Sequence, residues 1–432
     1  MSVSSPAVET LETADAIALA TLRRNVAVCE WRAGGGAGQL RRGRLILAGT
    51  CKFREAWARD CAFAFDEHLR LGMHEAARDT LSAFYDGQRP DGLFPRKIGG
   101  GNAARNIRMM LSDRFGWHRA EAAPSADEPP LRARHEHLTA GPRLLWRRGE
   151  PKDVNSLVLS MTASYSRAVE GSFAHALREP IARALAYLDR HCERGEHGLL
   201  YQGAHECWAD HNNHRGHGLY SNLLYLRALG DAAGLFDAWG DDREAARLRG
   251  RAARVREGLE AFWDWERGHF VKLIDGSRRD TRFSVPDNML ALELGLATRA
   301  QRQAVVRKLE EVVRERGYVP IHAPGYPWWA VPAARLPFVR EYVTGELLLP
   351  WIQLLAAGAV HPDHPALAEE LLQAVARQMV RHGAVEALDA NFERLGHWYT
   401  SGAETGFTWT SGAFRAAYRR IHGVRLAAEA SA

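Results

Sequence analysis

The chain predicts an all-α fold, a double ring of helices of the (α/α)6 type, and three observations carry that expectation. Apolar residues recur at helical spacing along most of the 432 residues, and runs of β-branched residues are few. Several helical stretches are separated by short breaks only, such as LGMHEA at 71–76 and LATRAQ at 296–301. Short connections make antiparallel neighbours. Long loops rich in Gly, Pro and aromatic residues alternate with those breaks, as in GQRPDGLFPRKIGGGN, YQGAHECWADHNNHRGHG, VPIHAPGYPWWAVPAARLPF and DANFERLGHWYTSGAETG. Six inner and six outer helices would gather these loops at one end, where a rigid scaffold positions functional side chains.

In order, helices are expected at 10–29, 53–72, 74–88, 155–170, 173–193, 218–231, 241–264, 285–297, 299–316, 339–360, 364–382 and 405–421. The stretch RLRGRAARVREGLEAF (247–262) interleaves arginines with acids, the pattern of a solvated helix face. Residues 99–150 depart from the helical pattern. Their low apolar content and prolines mark a long loop insertion or a lid within one catalytic domain spanning 1–432. The tail LAAEASA is expected to fray.

Composition narrows the class. Hydrophobic residues make up 46% and charged residues 25%, which suits a globular chain with a large core. The net charge of +5 is mild over this length and comes with no nucleic-acid motif. Five cysteines without a CxxC point to buried thiols in a reducing compartment. The N-terminus MSVSSPAVETLETADAIALA carries acids where a signal peptide has a basic start. No window approaches the roughly 18 apolar residues of a membrane span. A cytoplasmic protein is expected, with no membrane or nucleic-acid partner.

Several chemistries can then be weighed. Residues 205–217 hold His205, His211, His214 and His217, which raises a metal-dependent reading. Against it, Arg215 and Gly216 interrupt any helix there, and neither HExxH nor HxH occurs within 205–217. The glycine-rich GGGAG (34–38) and IGGGN (98–102) lack GK[ST], and no GxSxG occurs, so neither a P-loop nor a hydrolase elbow is expected. Paired carboxylates beside aromatic walls remain. The chain has 13 Trp, and Trp57, Trp208, Trp328, Trp329, Trp398 and Trp409 sit in or beside loops that also carry acids. Sugars have apolar faces and polar rims, which such walls fit.

Four motifs carry a resemblance. FREAWARDCAFAF (53–65), GQRPDGLFPRKI (87–98), CWADHNNHRGHGLYSNLLYLRAL (207–229) and DANFERLGHWYTSGAETGFTWTSGAF (389–414) occur in that order. With them the chain resembles inverting glycoside hydrolases of (α/α)6 fold, most of all amylo-α-1,6-glucosidases of the glycogen-debranching kind, with relatives among neutral invertases and glucoamylases. The resemblance implies release of a terminal glucosyl unit with no cofactor and no metal. It places Trp57, Arg59 and Asp60 around the terminal sugar, with Asp91 as a further contact. KDVNSLVLSMTASY (152–165) is similar to the next inner helix, where Asp153 is better read as an N-cap. Asp210 takes the role of general acid, with Trp208 lining the site and Asn222 facing it. Glu393 takes the role of general base, with Glu404 as the rival, and Trp409 flanks the site. His211 directly after Asp210 departs from the family pattern and would stabilise the ionised acid. With only the residues before Phe53 ahead of the first motif, the β-sandwich that many relatives carry there is not expected in this sequence, and short α-glucosidic oligosaccharides or small glucosides are the expected substrates. Sucrose is the alternative substrate, and a catalytically silent sugar-binding barrel is the alternative class.

Overall fold

Long and short connections alternate along the chain, and that alternation sorts the helices into two layers. The computed structural model describes residues 6–36, 38–50, 53–100, 129–138, 149–192, 197–208, 215–327, 345, 347–389, 391–393, 403–424 and 426. The helices among them are α1 (Pro6–Arg24), α2 (Ala58–Arg70), α3 (His74–Asp86), α4 (Asp153–Ala168), α5 (Gly171–Ala176), α6 (Arg178–Arg190), α7 (Leu219–Ala238), α8 (Asp242–Leu259), α9 (Val285–Glu293), α10 (Arg299–Arg316), α11 (Pro350–Val360), α12 (Pro365–His382) and α13 (Thr408–His422). Helix α2 packs on α4, α4 on α7, α7 on α9, α9 on α11, α11 on α13, and α13 returns to α2. These six close a cycle. The others pack outside it: α3 and α6 on α4, α8 on α7, α10 on α9, α12 on α11, and α1 on α12 and α13.

The sequence explains which helix goes where. In α4 every residue from Asp153 to Tyr165 is buried, and α7 and α11 are apolar on nearly all sides. A helix apolar all round needs neighbours on every face. Each Leu or Val buried there contributes roughly 1.5–3 kcal/mol relative to exposure. Helix α8 buries one stripe, Ala245, Leu248, Val255, Gly258 and Leu259, and turns its arginines and acids outward. The expected solvated face at 247–262 is therefore present.

The connections into inner helices span 25–57, 87–152, 191–218, 260–284, 317–349 and 383–407, whereas α2 leads to α3 through 71–73 and α7 to α8 through 239–241. The long segments thus meet at the N-terminal ends of the inner helices. Short strands lie there: Ala56–Trp57, His217–Gly218 and Phe283–Ser284 run directly into α2, α7 and α9. The expected first helix, 10–29, ends at Arg24 because VAVCEWR pairs as a strand, Val26–Arg32, antiparallel to Leu40–Ile46. GGGAG falls in the connection of that hairpin. The expected helix 173–193 is broken into α5 and α6. Within 99–150, Leu131–Arg132 extends the hairpin sheet and Arg134–Glu136 pairs with Lys97–Gly99, so part of this segment is built into the loop layer.

Three asparagines in the first turns of inner helices tie that layer down. Asn222 Oδ1 accepts from the Leu200 N–H (2.7 Å), and its Nδ2 donates to the carbonyls of Leu200 and Gly218. Asn288 grips the N–H and C=O of Phe270 in the same way and donates to Ser284 O. Asn155 accepts from the Phe94 N–H and donates to Gly92 and Ala184 carbonyls. Helix α1 is fastened by charge. Arg415 is fully buried and donates to both oxygens of Asp15 (2.8 and 3.0 Å), while Glu67 lies 3.6 Å from its Nε and also receives Arg419.

Candidate functional site

None of the six inner helices has a side-chain N-cap among the described residues. The outer helices α8, α10 and α12 are capped, by Asp241, by a Thr298–Gln301 capping box and by His364. Uncapped N-termini leave backbone donors and the positive helix ends turned toward the loop layer. Aromatic side chains fill the adjoining interior. Trp409 stacks on Phe63 (4.4 Å, 12°) and on Trp351 (3.8 Å, 21°). Trp208 meets Trp351 edge-on at 5.8 Å and stands near Tyr220 (6.3 Å) and His322 (6.5 Å). Trp351 was not singled out from the sequence, since a Trp in an apolar helix reads as core.

Two carboxylates act through space on a third beside α2. Asp60 lies in its first turn, buried. Burial raises its pKa from 3.8 to about 7, and the carboxylates of Glu386 and Glu404 push in the same direction. Arg59 opposes them from the neighbouring position. Its own guanidinium is held by Asp153, which accepts from Nε at 2.6 Å and from Nη2 at 3.1 Å. Glu404 is 1% exposed and accepts from the Phe53 N–H at 2.8 Å. Gly49 leaves the space it occupies, since a Cβ there would meet Glu404 Cγ at 2.5 Å. Glu386 is half-buried, and its Oε2 accepts from the Glu404 N–H at 3.2 Å. One member of the trio is thus fixed in place, one is protonatable near neutrality, and one is half-buried.

The structure brings some predicted residues together and separates others. Arg59, Asp60, Trp208 and Trp409 lie in the interior. Trp57 is half-buried at the N-cap of α2, with Arg96 (4.9 Å) and Lys97 (5.0 Å) over its ring. Asp153 is not an N-cap: Lys152 holds that position, and the Asp153 carboxylate is spent on Arg59. Asn222 engages its polar atoms with the backbone of Leu200 and Gly218. Asp91 is on the surface, paired with Arg89 at 2.5 Å and accepting from the Leu93 N–H in its own turn. Glu393 is half-exposed and bridges Arg381 (2.5 Å) at the end of α12, with no described contact to Asp60, Glu386 or Glu404. Glu404 lies before α13, whose N-cap is Phe407. Glu386 was missed because no motif surrounds it.

Asp210, His211, His214, Trp328, Trp329 and Trp398 lie outside the described residues. His205 is buried at φ 66°, and His217 Nδ1 is 3.1 Å from the Leu200 carbonyl. Among the described residues no three His, Cys, Asp or Glu side chains converge as a metal site, and no helix is long and apolar enough to cross a membrane.

No family model matches the chain, and no curated protein matches it. Solved structures do. A GH63 mannosylglycerate hydrolase from Thermus thermophilus, in complex with Tris and D-glycerate, superposes with a TM-score of 0.63 at 16% identity, over 94% of this chain and 100% of that one. A rhamnosidase from Klebsiella oxytoca with rhamnose bound gives 0.61 at 15% identity, over 98% of this chain and 65% of that one. A wild-type glycosidase gives 0.56 at 16% identity, over 98% and 100%. The likeness is one of fold.

Proposed function

We propose that the chain is a glycoside hydrolase on an (α/α)6 toroid, the closed cycle of α2, α4, α7, α9, α11 and α13 being its inner wall. The observation that carries this reading is the carboxylate trio of Asp60, Glu386 and Glu404 at the uncapped end of an aromatic-lined ring. A glycosidic bond needs a proton for its leaving oxygen and a carboxylate for the attacking water. Asp210 is the proposed acid, on the strength of its motif, in which Trp208 stands two positions before it. Glu386 is the proposed base in place of Glu393. It is half-buried and its carboxyl is oriented by one N–H, whereas Glu393 is drawn to Arg381 on the surface. Glu404 acts as the anchor of Glu386, and Asp60, protonated near neutrality, can donate to a sugar hydroxyl as well as accept from one. Trp57 and Arg59 border the same site.

The substrate proposed is a short α-glucosidic oligosaccharide or a small glucoside, cleaved with inversion. Purified protein incubated with isomaltose, panose, trehalose, sucrose, glucosylglycerate and mannosylglycerate should release hexose from at least one. NMR of the first-formed anomer reads the stereochemistry. Asp210→Asn and Glu386→Gln should each lower turnover by at least about 100-fold, and Glu393→Gln by less than about twofold. Undiminished hydrolysis by Glu386→Gln refutes the assignment.

A further inference from the structure

The α9 side of the ring interior holds polar groups that the carboxylate trio does not use. Asp287 sits in the first turn of α9, 1% exposed, with the Ser284 hydroxyl beside its carboxyl and its Oδ1 without a hydrogen bond among the described residues. Lys272, 6% exposed on the loop before α9, lies 3.2 Å from His322 Nε2 and 4.7 Å over the Tyr326 ring. Lys272 and Asp287 attract each other through space, yet no ion pair joins them. Tyr220, on α7, is 4% exposed, with a hydroxyl unpartnered among the described residues, and feels the charge of Asp153 first and, more weakly, that of Asp287. Trp208 stands between Tyr220 and His322 and so joins this group to the aromatic stack.

A buried carboxylate oxygen and a buried phenol without partners are costly unless something completes them. The chemistry of the set defines what can. An anion would meet Asp280 and Asp287, and a cation would meet Lys272 and Arg282. A neutral group that both donates and accepts suits all three positions: the ammonium donates, the carboxylate accepts, and the phenol does either. Burial also raises the Asp287 pKa to about 7 and lowers that of Lys272, so neither charge is strongly held against a neutral ligand.

We propose that Lys272 and Asp287, with Tyr220, clamp two neighbouring hydroxyls of a polyhydroxylated ring, and that this clamp selects the substrate by the stereochemistry of those hydroxyls. The ligand class rests on the glycosidase reading; the clamp is tested by binding alone. D-glucose and its 2-, 3-, 4- and 6-deoxy analogues are titrated into the full chain while tryptophan fluorescence is followed. Wild type should bind glucose about 10- to 100-fold more tightly than at least two analogues lacking adjacent hydroxyls. Lys272→Met and Asp287→Asn should lose that preference. Tyr220→Phe removes only a hydroxyl without a described partner, so it should keep the wild-type Tm while weakening glucose about 10-fold. No glucose binding, equal binding of all the deoxy sugars, or unchanged discrimination in the variants overturns the clamp. If no glycoside is cleaved but the deoxy pattern is present, hydrolysis fails and the clamp stands; cleavage with a flat deoxy profile gives the reverse.

Discussion

Replacing Asp60 by Asn tests the electrostatics of the carboxylate trio through stability. Burial, with Glu386 and Glu404 behind it, lifts this carboxyl from 3.8 to about 7. Between those values the folded chain retains a proton that the unfolded chain has lost. The folded pKa is raised, so the stabilisation is fully present below about pH 4 and is lost as pH rises through 7. At about 1.4 kcal/mol per pH unit over roughly three units, the loss approaches 4 kcal/mol by pH 8. Asn copies the protonated shape and carries no charge at any pH, so the variant lacks this slope. Urea unfolding at pH 5, 6, 7 and 8 measures it. The variant should gain on wild type by about 1.4 kcal/mol per unit between pH 5 and 7 and level off above. Asp287, raised to about 7, slopes the same way in both proteins and cancels in the difference. His68, pushed down to about 4 by burial, loses stability in the opposite sense, as pH falls below about 6.5, and cancels too. Parallel curves for the two proteins would refute the account of Asp60.

Three further substitutions probe the scaffold. Asn288→Ala should cost roughly 3 kcal/mol in urea unfolding, because backbone groups of Phe270 and Ser284 lose a buried partner. Arg415→Met should cost about 3–5 kcal/mol by the same assay, since Asp15 and Glu67 lose the buried cation they share, and limited proteolysis should then cut α1 first. Gly49→Ala drives a methyl into Glu404, so kcat on whichever glycoside is cleaved should fall at least about 10-fold, with a stability loss of only about 1–3 kcal/mol; unchanged kcat would deny Glu404 its anchoring role.

The layers were legible because burial writes itself into periodicity. A helix such as α4, apolar on every face, cannot be an outer helix, and the charged stripe of α8 cannot be an inner one. The small strands were not legible. Pieces such as Ala56–Trp57 and His217–Gly218 are too short for alternation to register, and their pairing partners lie far along the chain.

The site was legible to the extent that chemistry and packing demand different residues. Arg59 and Asp60 are both ionisable and buried, a combination with a strong reason behind it, and both stand in the interior. Where the demands coincide, sequence spacing misleads. An Asn in the first turn of an inner helix can face a sugar or hold a loop. Asn155, Asn222 and Asn288 all do the second, and their recurrence at equivalent places was the available signal. Glu393 stands nearer a recognisable motif than Glu386 does. The left-handed turn at Phe392, φ 60°, with Asp389 accepting from the Glu393 N–H, carries Glu393 to Arg381, while Glu386 pairs its backbone with Glu404. Lys272 and Asp287 sit in segments with no motif at all. Their meaning becomes visible only once the fold has buried them, Lys272 beside His322 and Asp287 with one oxygen left without a described partner.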